Sequence, residues 1–215
     1  MVTPQQVRAA LAAHERRDMP ALPGRTNHLQ SGVLVPLCWE ETTILCIATL
    51  RGAHLRHHAG EVCFPGGRPE PDDDDLIATA LREANEELGI ERAEVLGRLS
   101  SIPLYTSDYR LRPWVAAIPP QDLVPNPDEV ADVLRLDVEA ELRRSYVEAI
   151  PWTNPTSGET HLSPVFSVGE SLMFGATAHT FYELLGVLAP LFDRVLPERK
   201  EGRLRWADVL GDAAP

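Results

Sequence analysis

The tripeptide Pro65-Gly66-Gly67 restricts this chain more than any other feature of its sequence. Regular structure does not continue through it, because proline lacks a backbone donor and two successive glycines leave the backbone unrestrained. Before it stands a short β-type run, Val62 to Phe64. After it come an acidic stretch, Asp72 to Asp75, and a helical segment closing at Gly89. The chain must pass from strand to loop to helix here. The glycine pair also leaves backbone amides and carbonyls open to close approach by a phosphate or a metal.

On the segment Asp75 to Leu88, residues Ile77, Leu81, Ala84 and Leu88 recur at helical spacing and predict an apolar stripe facing a core. Glu83, Glu86 and Glu87 fall on the other side within an arc of about 100°, so three carboxylates converge. Glu83 and Glu87 are a like-charge i,i+4 pair that costs an isolated helix about 0.2–0.5 kcal/mol. No Lys or Arg stands at the i+4 positions to relieve it. A bound cation would remove the repulsion, and this number of hard oxygen ligands suits Mg²⁺ or Mn²⁺. On these residues alone, an acidic solvated face is the alternative.

The rest of the chain supplies the elements around that helix. Thr3 as N-cap and Pro4 at the first helical position start a helix in which Val7, Leu11 and His14 share a face and which runs to Arg16 and Arg17. A proline- and glycine-rich linker, Pro20 to Gly24, follows. Gly32 to Trp39 and Thr43 to Leu50 are apolar, β-branched runs separated by Glu40-Glu41-Thr42, which predicts a hairpin of core strands. Arg51 to Gly60 is a basic loop carrying histidines. Val95 to Ile102, Leu111 to Ile118 and Glu129 to Leu136 read as further strands, and Leu172 to Phe192 as a second long helix broken near Pro190. Short strands on both sides of a helix point to an α+β or sandwich arrangement.

Charge and cysteine content exclude several partners. With a formal net charge of -12, the chain repels polymeric nucleic acid and anionic membranes, and a small phosphate-bearing ligand would need a bridging cation. Cys38, Cys46 and Cys63 are odd in number and lie in apolar stretches without C-x-x-C spacing, so they read as buried free thiols. Without a signal pattern or an apolar run of about 18 residues, the expected compartment is reducing and cytoplasmic.

Gly67, the acidic run and Arg82-Glu83-Ala84-Asn85-Glu86-Glu87-Leu88-Gly89-Ile90 together resemble the Nudix box, G-x5-E-x7-R-E-U-x-E-E-x-G-U, in which U is a bulky aliphatic residue. The spacing from Gly67 to Arg82 is one residue longer than in the box, Asp73 or Asp74 stands for its first Glu, and Ala84 fills a U position. The resemblance implies an α/β fold, the Nudix-type α/β/α sandwich with a mixed sheet. Its boundaries would be an N-terminal helix and linker over 1–24, the Nudix domain over 25–195 and a C-terminal extension over 196–215.

The same resemblance implies Mg²⁺, with Mn²⁺ as a substitute, and attack of water on phosphorus in a nucleoside diphosphate linked to a second group. By carry-over, Glu83, Glu86, Glu87 and the Gly67 carbonyl hold the metal, and Glu83 or a more distant Glu activates water. Arg82 pairs with Asp73 or Asp74 to brace the loop. Many such enzymes add an acidic residue from a later loop, for which Asp128 or Glu129 is the candidate, Glu129 being preferred. A homodimer, common in the family, is the expected assembly.

Ahead of the box, Arg51 to Gly67 resembles the coenzyme A diphosphatase branch, R-S-x-x-L-R-x-H-x-G-x-V-x-F-P-G-G, with Gly52 in place of Ser. Coenzyme A carries a 3′-phosphate beside its diphosphate, so Arg51, Arg56 and His58 are the recognition candidates. His54 and His57 fall at unmatched positions. The stretch Pro103 to Arg110 departs from that branch, and Tyr105 or Tyr109 could instead stack on a base, as in dinucleoside polyphosphate hydrolases. Three functions are expected in this order: coenzyme A diphosphatase, Nudix hydrolase of ADP-ribose or dinucleoside polyphosphates, and non-catalytic nucleotide sensor.

Overall fold

The computed structural model describes residues 2–154 and 157–210; the last residues of the expected C-terminal extension, 211–215, lie outside this set. In chain order the elements are α1 (Pro4–Ala13), β1 (Leu29–Trp39), β2 (Ile44–Arg51), β3 (Val62–Cys63), β4 (Gly66–Gly67) and α2 (Leu76–Leu88). Then follow β5 (Glu94–Arg98), β6 (Ile102–Pro103), β7 (Tyr109–Ile118), β8 (Val130–Asp137), α3 (Val138–Leu142), β9 (Val147–Thr153) and β10 (Thr160–Val168). The last are β11 (Ser171–Met173), α4 (Gly175–Leu188), a 3₁₀ turn over Ala189–Phe192, β12 (Arg199–Glu201) and α5 (Trp206–Leu210).

Among the described residues the central sheet has the order β3-β2-β1-β7-β5, with β4 on β1, β6 on β7 and β8 on β2. The sheet is mixed. β1 and β7 run parallel from Leu29↔Tyr109 to Cys38↔Ile118, whereas β1 and β2 form the expected antiparallel hairpin. Side-chain alternation divides the sheet into two buried faces. Val33, Val35 and Leu37 of β1 with Ile44, Cys46 and Ala48 of β2 pack against Val7 and Leu11 of α1 and Phe181, Leu184 and Leu188 of α4. On the other face Leu34, Leu45, Ile47 and Ala116 pack against Ala80, Ala84 and Leu88 of α2. Helices thus cover both faces of one mixed sheet, the α/β/α sandwich expected from the sequence.

A second sheet, β11-β10-β9-β12, has no counterpart in the sequence reading; β12 joins β9 in parallel and ties the C-terminal segment to the fold. Three other expectations are corrected. The first helix ends at Ala13, not Arg17, because His14 turns into extended backbone and its Nε2 meets Glu183 of α4 at 2.7 Å. The run Val95 to Ile102 is two strands, both paired with β7. The three cysteines are free, yet of them Cys46 alone is fully buried.

The most consequential correction concerns α2. Its buried face is Thr79, Ala80, Ala84, Glu87 and Leu88, while Ile77 and Leu81 are half-buried. The cause is a close approach. A Cβ at Gly32 of β1 would stand 2.4 Å from the Leu76 carbonyl oxygen and 3.0 Å from the Ala80 nitrogen. The helix therefore seats its small residues, Thr79 and Ala80, on the strand, and this rotation turns Glu87 inward, away from Glu86. Among the described residues no helix is long and apolar enough to cross a membrane.

Leu11 is 1% exposed and sits in the same core as α4, so α1 is a structural part of the sandwich. Leu11→Ala should destabilise the protein by about 2–5 kcal/mol, read as a fall in the urea midpoint. An unchanged midpoint would show that α1 merely rests on the surface.

Candidate functional site

Asp75 caps α2, its side chain accepting the N–H groups of Ile77 and Ala78, and Gly89 in the left-handed region ends it. Between these stops the helix carries Arg82, Glu83, Glu86 and Glu87 past the Gly66-Gly67 strand. A Cβ built on Gly67 would fall 2.1 Å from Glu83 Oε1, so the Glu83 carboxylate occupies the space that any other residue would fill. The glycine is required by close approach. The Gly67 carbonyl accepts the Ser31 hydroxyl at 2.7 Å.

Arg82 is the hub of the acidic face. Its Nε and Nη2 each donate to Asp73 at 3.1 Å, and Nη2 also reaches Glu83 Oε1 at 3.1 Å and the Arg68 carbonyl at 3.0 Å. Its Nη1 donates to Glu86 Oε2 at 2.9 Å. The relief absent at the i+4 positions is thus supplied from the residue four before Glu86. Asp73, not Asp74, is the loop partner. It also accepts the Thr79 hydroxyl and the Glu70 N–H, and the Arg82 guanidinium holds its carboxyl down at about 2.

Glu87 differs from its neighbours. It is 2% exposed, and the Gly66 N–H reaches it at a long 3.4 Å. Burial pushes its carboxyl up to about 8; Gly66 and Arg51 oppose the shift, while the charges of Glu129 and Glu83 add to it. Burial likewise raises Glu83, Arg82 opposes, and Glu86 and Glu129 reinforce. The charge of Glu129 thus acts on both Glu83 and Glu87. Asp128 is exposed, and its backbone carbonyl hydrogen-bonds His54.

Among the described residues no three acidic, histidine or cysteine side chains stand gathered as a finished metal cluster, because Arg82 occupies Glu83 and Glu86. The donor set nonetheless fits a hard divalent cation. Carboxylate oxygens and a carbonyl are its preferred ligands, and Glu87 is a buried carboxylate with one weak partner, a group that is costly to ionise without a counter-charge.

The loop Arg51 to Gly60 stands beside this face. Gly52 N–H donates to the Glu129 carbonyl at 2.8 Å, which ties the loop to the segment bearing Glu129. Arg51 Nε is buried without a hydrogen-bond partner among the described residues. Arg56 is exposed. His58 is in the left-handed region, φ 56°; its Nδ1 meets Glu61 at 2.9 Å and its Nε2 meets the Thr106 hydroxyl at 3.3 Å. The Glu61 hydrogen bond raises its pKa above the usual histidine value, and burial opposes. Tyr105 is 43% exposed, whereas Tyr109 lies under Arg68, with 4.9 Å from the guanidinium carbon to the ring centre.

Sequence reasoning missed Ser31, Thr79 and Asn27. Asn27, 2% exposed, donates Nδ2 to the carbonyls of Leu104, Ser107 and Tyr109 and so fixes the loop from Leu104 to Tyr109. An Asn-His pair after a glycine-rich linker carries no signal of such a role.

Two outcomes follow from this geometry. Asp73→Asn should lower the thermal midpoint and Asp74→Asn should leave it in place; equal melts would return the choice between the two aspartates. Glu87 is protonated more readily folded than unfolded, so between about 4.5 and 8 the folded state holds the extra proton and stability falls as pH rises. In metal-free protein the urea midpoint should drop across that window, and Glu87→Gln should flatten the drop; an equally steep Gln variant would reject the assignment.

Comparison with known proteins identifies the family. The NUDIX domain model matches residues 28–162. The chain is 36% identical over 174 residues, 78% of this chain and 90% of the relative, to a protein of Photorhabdus laumondii described as uncharacterized Nudix hydrolase NudL. It is 36% identical over 193 residues, 84% of this chain and 90% of the relative, to the mitochondrial coenzyme A diphosphatase NUDT8 of Mus musculus. A solved MutT/nudix family protein from Enterococcus faecalis aligns with 90% of this chain and 76% of its own, at TM-score 0.49 and 13% identity. With the family model spanning more than half of the sequence, the chain belongs to the Nudix hydrolase family, pyrophosphohydrolases that act on small nucleotide substrates with divalent metal ions.

Proposed function

We propose that the protein is a Mg²⁺-dependent coenzyme A diphosphatase, hydrolysing coenzyme A or its acyl forms to 3′,5′-ADP and 4′-phosphopantetheine or acyl-phosphopantetheine. The observation that carries this reading is the 36% identity to NUDT8 along most of both chains.

In this reading Glu83, Glu86, Glu87 and the Gly67 carbonyl hold the ion. Bound there, a divalent cation neutralises diphosphate charge and makes water a better nucleophile at neutral pH. The chain's own groups do the rest. Glu83 and Glu129, whose charges both act on Glu87, are the groups that would take the proton of the attacking water. The new P–O bond forms as the anhydride P–O bond breaks, with no covalent enzyme intermediate. Arg82 keeps Glu83 and Glu86 aligned. Arg51 and Arg56 offer guanidinium groups to the 3′-phosphate that sets coenzyme A apart from other nucleotide diphosphates.

The test is a competition. Purified protein with Mg²⁺ and an equimolar pool of coenzyme A, ADP-ribose, NADH and diadenosine tetraphosphate is sampled by mass spectrometry. Metal-dependent release of phosphopantetheine and 3′,5′-ADP ahead of other products is expected; AMP-type products with coenzyme A intact would overturn the substrate. Glu86→Gln should reduce turnover at least about 100-fold with an unchanged melting midpoint. A variant of full activity would remove the carboxylate face from the mechanism.

A further inference from the structure

We propose that His58 is a positioning residue, clasping the loop ahead of the acidic helix to the loop between β6 and β7 and thereby setting the wall against which the nucleotide end of the substrate lies. The inference rests on the chain hydrolysing a nucleotide-like diphosphate, whichever it is.

Both ring nitrogens of His58 are engaged by the protein: Nδ1 by Glu61 at 2.9 Å and Nε2 by the Thr106 hydroxyl at 3.3 Å. An ionised carboxylate only accepts, so Nδ1 donates to Glu61. The threonine hydroxyl can donate to a neutral ring or accept from a charged one, so the clasp survives either protonation state. Glu61 and Arg51 are the charged groups acting on the ring. The backbone is committed as well. His58 has φ 56°, uncommon for a residue other than glycine, and its carbonyl accepts the Glu61 N–H at 3.2 Å. A side chain so fully spent on two loops has little left for a phosphate.

What the clasp holds is informative. The far side of the 104–109 loop is fixed by Asn27 Nδ2 on three carbonyls and by Asp108 accepting the Thr26 and Asn27 N–H groups. Thr106 ties the near side. The loop runs into β7 at Tyr109, whose ring carries Arg68, and Arg68 follows the Gly67 that lies against Glu83. The Tyr109–Arg68 stack is therefore a wall of the acidic site, with a π-face and guanidinium donors suited to a base or a phosphate. Tyr109 itself is held in β7 opposite Leu29 of β1, and the loop that leads into it is gripped on one side by Asn27 and on the other by His58 through Thr106.

The experiment is a double-mutant cycle with His58→Asn, chosen because asparagine tolerates the left-handed backbone, and Thr106→Val. Kinetics use saturating Mg²⁺ and whichever diphosphate of the pool is hydrolysed fastest. Each variant should raise KM about fivefold, the scale of one hydrogen bond, with kcat held within about twofold, and the double variant should be no worse than either. A KM effect of His58→Asn with Thr106→Val silent would make His58 a direct substrate ligand, and additive effects would break the link; either overturns the proposal. Chymotrypsin provides a readout independent of turnover: cleavage after the exposed Tyr105 should accelerate in both variants. Unchanged cleavage in both would overturn the clasp even if every diphosphate in the pool were refused.

Discussion

The seat of α2 on β1 at Gly32 governs the site. Because no side chain separates strand from helix there, the helix turns Thr79, Ala80 and Ala84 onto the sheet, and Glu87 follows them inward. Glu83, one turn earlier, then falls against Gly67 on the neighbouring β4, which pairs with β1 at Gly32↔Gly67. One strand thus registers both the helix and the glycine turn, and the carboxylates meet the turn because both are measured from the same residue. A larger residue at position 32 would lift the helix and separate the two halves of the site together.

Electrostatics explains how these carboxylates stand together. Arg82 donates to three carboxylates, those of Asp73, Glu83 and Glu86, and a planar guanidinium with five N–H donors serves several acceptors in a fixed geometry. Glu87 is beyond its reach and takes the other route open to a buried acid, holding its proton. The site is thus balanced by one shared cation and one retained proton. Were Glu83, Glu86 and Glu87 to hold a divalent ion, its charge would take over the compensation that Arg82 and the Glu87 proton supply. Arg82 is in any case anchored on Asp73 and the Arg68 carbonyl.

Local features were legible in the sequence. The helix from Asp75, the Gly89 stop and the 32–50 hairpin rest on short-range rules of capping, turn chemistry and alternation, whereas the meeting of Glu83 with Gly67 was implied only by the resemblance to the Nudix box. What escaped depended on distant partners. β9 and β10 contain Pro151 and Pro164 and exposed polar residues, so their alternation is weak until they are paired. The inward turn of Glu87 could not be read from α2, since periodicity placed Ile77 and Leu81 in the stripe; the deciding residue is Gly32, forty-four positions before the helix begins. Asp73 prevailed over Asp74 through Thr79 and Arg82, contacts that become available only when the loop folds back on the helix.

The division of labour between helix and loops has the same physical origin. Carboxylates that share an ion must hold their spacing closely, and a capped helix packed on a sheet fixes three of them with few degrees of freedom. Recognition of the remainder of a substrate needs reach instead, which loops provide at the cost of order. Here the order is recovered by hydrogen bonds between segments far apart in sequence: Asn27 to 104–109, His58 to Thr106, Gly52 and His54 to 128–129. These residues need not touch a substrate to influence which one is accepted. They set the distance from the acidic face of α2 to the guanidinium and aromatic groups around it, and in a family that reuses one acidic helix, that distance is where specificity has room to change.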